Sequence, residues 1–203
     1  MANIRIISVD FQKDFSDKKG KHYRPRKSVD FVKNTLVPYF REHNIKVAEI
    51  ISDYRLPRPA DNDDSCRAGE WGYESEIPED IKQKPVWVKC MNSPIWVREN
   101  IGNPKKKAGL PYQDPKAFTK WLDKTIGKPN SLDEVVLIGL TSDCCVFCTA
   151  QELSWRGYNV KVLTEGVATY SGSEKEKEMI LTNPPFTNWA ERISWNELRR
   201  KLK

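Results

Sequence analysis

Histidine is nearly absent from this sequence, with His22 and His43 the only two among 203 residues. That scarcity argues against a Cys–His pair or a histidine-built transition-metal site, because both need imidazole at the reacting centre. No apolar run reaches the roughly 20 residues that a membrane-crossing helix requires, so no span is expected. The opening "MANIRIISVDF" sets an arginine inside a short apolar run and carries no cleavage pattern, so it is not read as a secretory signal. Internal repeats and low-complexity tracts are also missing, which removes solenoid architectures. The five cysteines are an odd number, and three of them (Cys144, Cys145, Cys148) crowd together. That is no disulfide framework, and a reducing cytoplasm is the expected compartment.

Long blocks of one charge are absent as well. The net charge is +6, but acids and bases interleave, and the basic runs Lys18–Lys21 and Pro104–Lys107 sit beside Gly or Pro in loops. Solvated surface explains both runs better than a nucleic-acid contact, so no nucleic-acid partner is expected. With 31% charged and 38% hydrophobic residues and seven tryptophans, the chain has the composition of a globular protein. Its length suits one well-buried core, and residues 1–203 are read as a single domain.

Apolar runs that read as strands alternate with segments of helical period. Strands are expected at residues 4–9, Val47–Ser52, Pro85–Cys90, Val135–Leu140 and Asn159–Leu163, with a weaker one at Arg192–Ser194. Helices are expected after Ser28 as cap (with Pro38 kinking it), after Asp114 with Pro115 in its first turn, from the Cys144–Cys145 turn to Gly157, and at residues 173–181 and 196–202. Such alternation predicts an α/β fold, a three-layer sandwich around a central, mostly parallel sheet of Rossmann-like type. The 54–84 stretch is a long loop, and loops of that size in a compact domain usually carry function.

Ligands of open parallel sheets bind outside the carboxyl ends of the strands. Asp10, Asp53, Lys89 and the Thr141–Cys145 turn all fall at such ends, so an acid, a base and a thiol can converge there. The two adjacent cysteines lie where a strand hands over to a helix N-terminus, whose unpaired N–H groups and positive dipole favour a thiolate. Taken singly, each residue has a plainer explanation: Asp as turn former, Lys as solvent-facing, Cys as small hydrophobe.

"SVDFQKDF" (Ser8–Phe15), "VWVKCMNSPIW" (Val86–Trp96) and "VLIGLTSDCCVFCTA" (Val136–Ala150) resemble the three signature blocks of the isochorismatase-like cysteine hydrolases. That superfamily includes nicotinamidases, N-carbamoylsarcosine amidases and ureidoacrylate hydrolases. "AGEWGYESEIPED" (Ala68–Asp80) is similar to its Gly-x-x-Gly loop, and the order and spacing of the four blocks match over nearly the whole chain.

The resemblance implies an Asp10–Lys89–Cys145 catalytic set, with the pattern Asp-x-Cys-Val selecting Cys145 rather than Cys144. It implies a cis Leu140–Thr141 peptide and an oxyanion hole made by the N–H groups of Thr141 and Cys145. Phe15 and Trp96 match positions that pack on substrate, and Trp71 is a looser candidate. The implied partner is a small-molecule substrate, with Arg55, Arg58 and Arg67 available to meet a carboxylate, and the implied assembly is a homo-oligomer, dimer or tetramer.

One departure is informative. Nicotinamidases use an Asp-x-His pair after the second strand plus a further His as metal ligands. Here the pair reads Asp53–Tyr54–Arg55, and the other ligand position falls on Ser65. No metal and no other cofactor is therefore expected, which disfavours nicotinamidase. The expected activity is cleavage of a C–N bond in a small amide or carbamoyl compound through a thioester. Alternatives are isochorismatase-type vinyl ether hydrolysis, for which a Cys nucleophile is not needed, a Cys145–Cys148 redox dithiol, and a binding member of the fold without activity.

Overall fold

The computed structural model describes residues 3–59 and 61–203. In chain order the elements are β1 (Ile4–Val9), α1 (Lys13–Ser16), α2 (Lys27–Phe31), α3 (Val37–Glu42), β2 (Val47–Ser52), β3 (Lys82–Lys89), β4 (Trp96–Val97) and β5 (Tyr112–Gln113). There follow α4 (Pro115–Thr125), β6 (Glu134–Leu140), α5 (Cys145–Trp155), β7 (Val160–Ala168), α6 (Glu174–Thr182), β8 (Glu191–Ile193) and α7 (Trp195–Lys201). Six strands form one sheet in the order β3-β2-β1-β6-β7-β8, and every pairing in it is parallel. Helices cover both of its faces, as the alternating pattern predicted. Val135, Val136, Leu137 and Ile138 are all at most 1% exposed. Both faces of β6 are covered, which is why its apolar residues run on instead of alternating.

The strand order runs outward one way from β1 through β2 to β3, and the other way from β6 through β7 to β8. The reversal falls between β1 and β6, and such a switch point opens a crevice beyond the strand ends. A glycine sets how closely these two strands approach. Gly139 pairs with Val9, has a φ of +114°, and leaves no room for a Cβ, which would collide with the Val9 carbonyl. A side chain there would push β6 and its following turn away from Asp10.

Three sequence expectations are corrected. The first concerns Ser28, which does not cap its helix. Arg26 takes the N-cap position without a side-chain cap, and the Ser28 hydroxyl is buried with no partner. Arg26 anchors the entry instead, donating to the carbonyls of Phe15, Thr169 and Tyr170. Next, β3 begins at Lys82, not Pro85. It is an edge strand with half-exposed polar residues, so apolar content did not mark its start, and Pro85 is tolerated there. Finally, β7 runs on to Ala168. Its register jumps while β6 advances from Leu137 to Gly139 and β7 from Val162 to Val167. The bulge carries Thr164, Glu165 and Gly166, which broke the apolar pattern. Pro38 is accommodated by a wide π turn, Val32–Leu36, immediately before α3.

Candidate active site

Three parallel strands deliver the cluster. Asp10 follows β1 with φ +49°, a left-handed conformation that Asp tolerates better than most residues. Its backbone N–H is tied to the Ile50 carbonyl of the neighbouring strand at 2.8 Å. Gln12 is wholly buried and clamps the two strand ends. Its amide nitrogen donates to the carbonyls of Ser52 and Tyr73, both at 2.9 Å, and its oxygen accepts from the Ser52 N–H at 2.8 Å. Lys89 ends β3, and Cys145 opens α5 one short turn beyond β6.

Asp10 and Lys89 are both fully buried and paired at 2.8 Å. The Lys89 Nζ also lies 2.8 Å from Ser52 Oγ, 3.0 Å from Tyr54 Oη, 3.0 Å from the Met91 carbonyl and 3.4 Å from Cys145 Sγ. An ammonium has three protons, so these acceptors compete for them. Ser52 Oγ donates in turn to the second Asp10 oxygen at 2.9 Å. Tyr54 Oη lies 3.2 Å from the sulfur, and Asn92 Oδ1 accepts from it at 3.7 Å. Acid, base and thiol, far apart in sequence, thus share one buried cluster in which Lys89 touches both of the others. Open surface clefts lie beside Ile4, Ala48 and Ile126, where the strands start, and beside Ser142, Asp143 and Phe147 around the start of α5.

Electrostatics follow from that burial. Desolvation pulls the Lys89 ammonium down, but the Asp10 carboxylate, by its charge and its hydrogen bond, outweighs it, and the Lys89 pKa stands well above the ordinary value. A hydrogen bond with Cys144, burial and the Asp10 charge push the Cys145 thiol well above its usual range, against the pull of Lys89. These neighbours oppose a resting thiolate at the helix N-terminus.

In the turn, the N–H groups of Ser142, Cys144 and Val146 are used by the carbonyls of Ala168, Thr141 and Thr141. Those of Thr141, just past β6, and Cys145, first residue of α5, have no partner among the described turn contacts, and for Cys145 that is expected at a helix start. The Leu140–Thr141 peptide is cis.

The other candidates lie around this core. Phe15 is 7% exposed and stacks on His22 at 5.3 Å. His22 is half-buried, bonded to Asp63 at 2.8 Å and to Tyr170 at 3.0 Å. Trp96 sits half-buried on the β4–β5 pair. Trp71 is 38% exposed, with the Lys13 ammonium 5.5 Å from its ring centre. The arginines meet the protein's own carboxylates: Arg55 pairs with Asp53, Arg58 with Asp61, and Arg67 with Asp64 and Glu70.

Sequence reading missed Gln12, Ser52, Tyr54 and Asn92. Ser52 and Tyr54 flank Asp53 at a strand end, and that position was the one available signal.

At the position where nicotinamidases place a metal ligand, Asp53 is fully buried. Arg55 Nε and Nη2 engage its two oxygens at 2.8 and 2.6 Å, and the Gly102 N–H adds a bond at 2.8 Å. Burial alone would raise this carboxyl; Arg55 and Gly102 overcome it and hold the pKa below the usual value. Arg55 also donates to the carbonyls of Asn100, Asn103 and Lys106. The donor set does not fit a transition metal: the carboxylate is already neutralised by a guanidinium, and neither neighbour is an imidazole.

The comparisons agree with this fold. The isochorismatase domain model matches residues 113–192. No curated protein sequence matches the chain. Among solved structures, an isochorismatase-like hydrolase from Alkaliphilus metalliredigens superposes with a TM-score of 0.67 at 18% identity, covering 100% of this chain and 99% of the other. A pyrazinamidase of Pyrococcus horikoshii in complex with zinc gives 0.62 at 17% identity, covering 95% and 99%. N-carbamoylsarcosine amidase from Thermoplasma acidophilum gives 0.54 at 18% identity, covering 95% and 96%.

Proposed function

With an isochorismatase-like hydrolase fold and an isochorismatase domain matched over residues 113–192, we propose that this protein is a single-domain cysteine hydrolase. Its substrates are small amides or carbamoyl compounds, and the scissile bond is C–N. The observation that carries the proposal is the Lys89 ammonium, buried and in contact with both the Asp10 carboxylate and the Cys145 sulfur.

Cys145 is the nucleophile, Asp10 the base and acid, and Lys89 the charge between them. Substrate binding drives off water and brings a carbonyl carbon to the sulfur. Lys89 passes a proton to Asp10 Oδ2 as it takes the one on Sγ, leaving thiolate, ammonium and neutral carboxyl. The thiolate then attacks the carbonyl. The oxyanion forms against the N–H groups of Thr141 and Cys145, and one such donor is typically worth about 3 kcal/mol. Asp10 returns its proton to the leaving nitrogen, the C–N bond breaks, and the acyl group stays on sulfur. Asp10 next takes a proton from water, whose oxygen attacks the thioester and releases the acid and the thiolate. Phe15, Trp96 and Trp71 are proposed to border the substrate. A thiol at the reacting centre favours this reading over vinyl ether hydrolysis, which needs no such group.

The enzyme is further proposed to work as a homo-oligomer in the cytoplasm. Five free cysteines support a reducing compartment, and light scattering after size exclusion reads the assembly.

A panel of small amides, carbamoyl compounds and vinyl ethers tests the activity, with mass spectrometry of the Cys145 peptide after rapid quench. Turnover of an amide or carbamoyl substrate with an acyl adduct on Cys145, lost in Cys145→Ala and Asp10→Asn, is the expected result. Near-wild-type turnover in either variant would overturn the mechanism, and silence across the whole panel would favour a binding protein.

A further inference from the structure

Tyr54 stands between Asp53 and Arg55, whose side chains are bonded to each other and to the loop at residues 100–106. Its own ring packs against Lys89, and its hydroxyl reaches Cys145. The residue is 4% exposed, and its hydroxyl lies 3.0 Å from Lys89 Nζ and 3.2 Å from Cys145 Sγ. The Arg58 guanidinium carbon lies 4.0 Å from the ring centre, and Lys89 Nζ lies 5.1 Å from it.

Elementary valence sets the direction of these bonds. An ammonium can only donate, so the Tyr54 oxygen accepts from Lys89. Among the described residues the phenol proton then has one hydrogen-bond partner left, the sulfur. A thiolate has no hydrogen and can only accept, so once Cys145 is ionised the chain runs from Lys89 to Tyr54 to Cys145. Burial and the neighbouring sulfur keep the phenol protonated, its pKa lying well above the usual value. Two cations beside the ring make its O–H a stronger donor.

We propose that Tyr54 is a catalytic residue: its hydroxyl donates a hydrogen bond to the Cys145 thiolate, through a phenol polarised by Lys89 and Arg58. The bond is made at the two points where the sulfur bears charge, before attack on the carbonyl and when the thioester C–S bond breaks. The role rests on Cys145 acting as a thiolate and adds a donor outside the Asp10–Lys89–Cys145 set.

The test needs no substrate. Tyr54→Phe keeps the ring and removes the oxygen. Alkylation of Cys145 by iodoacetamide, localised by peptide mass spectrometry, is followed against pH in both proteins. Below the thiol pKa the rate tracks the thiolate fraction, so loss of one hydrogen bond is expected to slow it about tenfold and move the profile up by about one pH unit. An unchanged profile would overturn the proposal and leave Tyr54 as packing. Site-specific 3-fluorotyrosine at position 54 gives the opposite sign while filling nearly the same space. Its more acidic phenol is expected to move the profile to lower pH, and no movement there would also overturn the proposal, even where the Phe variant folds poorly. These outcomes are separate from the fate of the hydrolase reading, which the substrate panel decides alone.

Discussion

Two carboxylate–cation pairs lie side by side at the ends of β1 and β2, and they are chemically almost the same. Asp10 and Asp53 are both fully buried, each with a basic partner at hydrogen-bond distance. What differs is how the cation is held. Arg55 matches Asp53 fork to fork and directs its remaining donors at backbone carbonyls, so the pair is closed and saturated. Lys89 has fewer protons than acceptors, and one of those acceptors is a thiol. A planar guanidinium with directed donors locks a carboxylate, whereas a compact ammonium can redistribute protons among neighbours. The first arrangement is suited to holding a loop and the second to chemistry.

The sharpest way to break that contrast is to neutralise each acid in turn. Asp10→Asn is expected to cut turnover at least about a thousandfold, the scale of losing a proton-transfer group within a catalytic unit. Asp53→Asn is expected to leave turnover of the folded enzyme nearly unchanged while lowering stability by about 3 kcal/mol, because the buried Arg55 loses its counter-charge. Urea unfolding and steady-state kinetics on both proteins separate the outcomes. Equal loss of turnover in the two would erase the distinction.

Acid titration refines it. The Asp53 carboxyl is held below its ordinary value by Arg55 and Gly102 against the cost of burial. Its stabilisation is therefore complete above the unfolded pKa of about 3.9 and is lost as pH falls through the lower folded value. The pH dependence of unfolding over that acid range should flatten in Asp53→Asn.

On the catalytic side the raised Cys145 thiol predicts the opposite direction. Its alkylation is expected to be slow at neutral pH and to rise about tenfold per pH unit through the mildly alkaline range. A pH-independent rate there would indicate a resting thiolate.

The smallest effect belongs to the scaffold. Asp114 caps α4 by accepting from the Ala117 N–H at 2.9 Å, and α4 packs against β3, which carries Lys89, through Trp121 and Pro85. Asp114→Ala should cost about 1 kcal/mol by thermal or urea unfolding, with turnover preserved.

Much of this architecture was legible in the residues. Val135–Leu140 reads as a strand because it is a short apolar run rich in β-branched residues. Asp114–Pro115 reads as a helix start because it carries both a side-chain acceptor and a preset φ. The legible parts are those whose cause is local. The tail of β7 was not legible, since its bulge holds residues that interrupt any apolar pattern. Neither was the start of β3, whose edge position exposes polar side chains. Tyr54 and Ser52 escaped for another reason: each is an ordinary residue at a strand end until a distant lysine is folded onto it.

The sequence by itself determined which residue types stand at the ends of which strands, because strand and helix propensities and the exits from them are written in short windows. Only the tertiary structure decided that Lys89 reaches Asp10 and Cys145 while Arg55 closes on Asp53, and that Tyr54 lies against the sulfur. The physical reason is strand order. Hydrogen bonds form between groups that the sheet makes neighbours, and placing β1 between β2 and β6 is the work of the whole packed core.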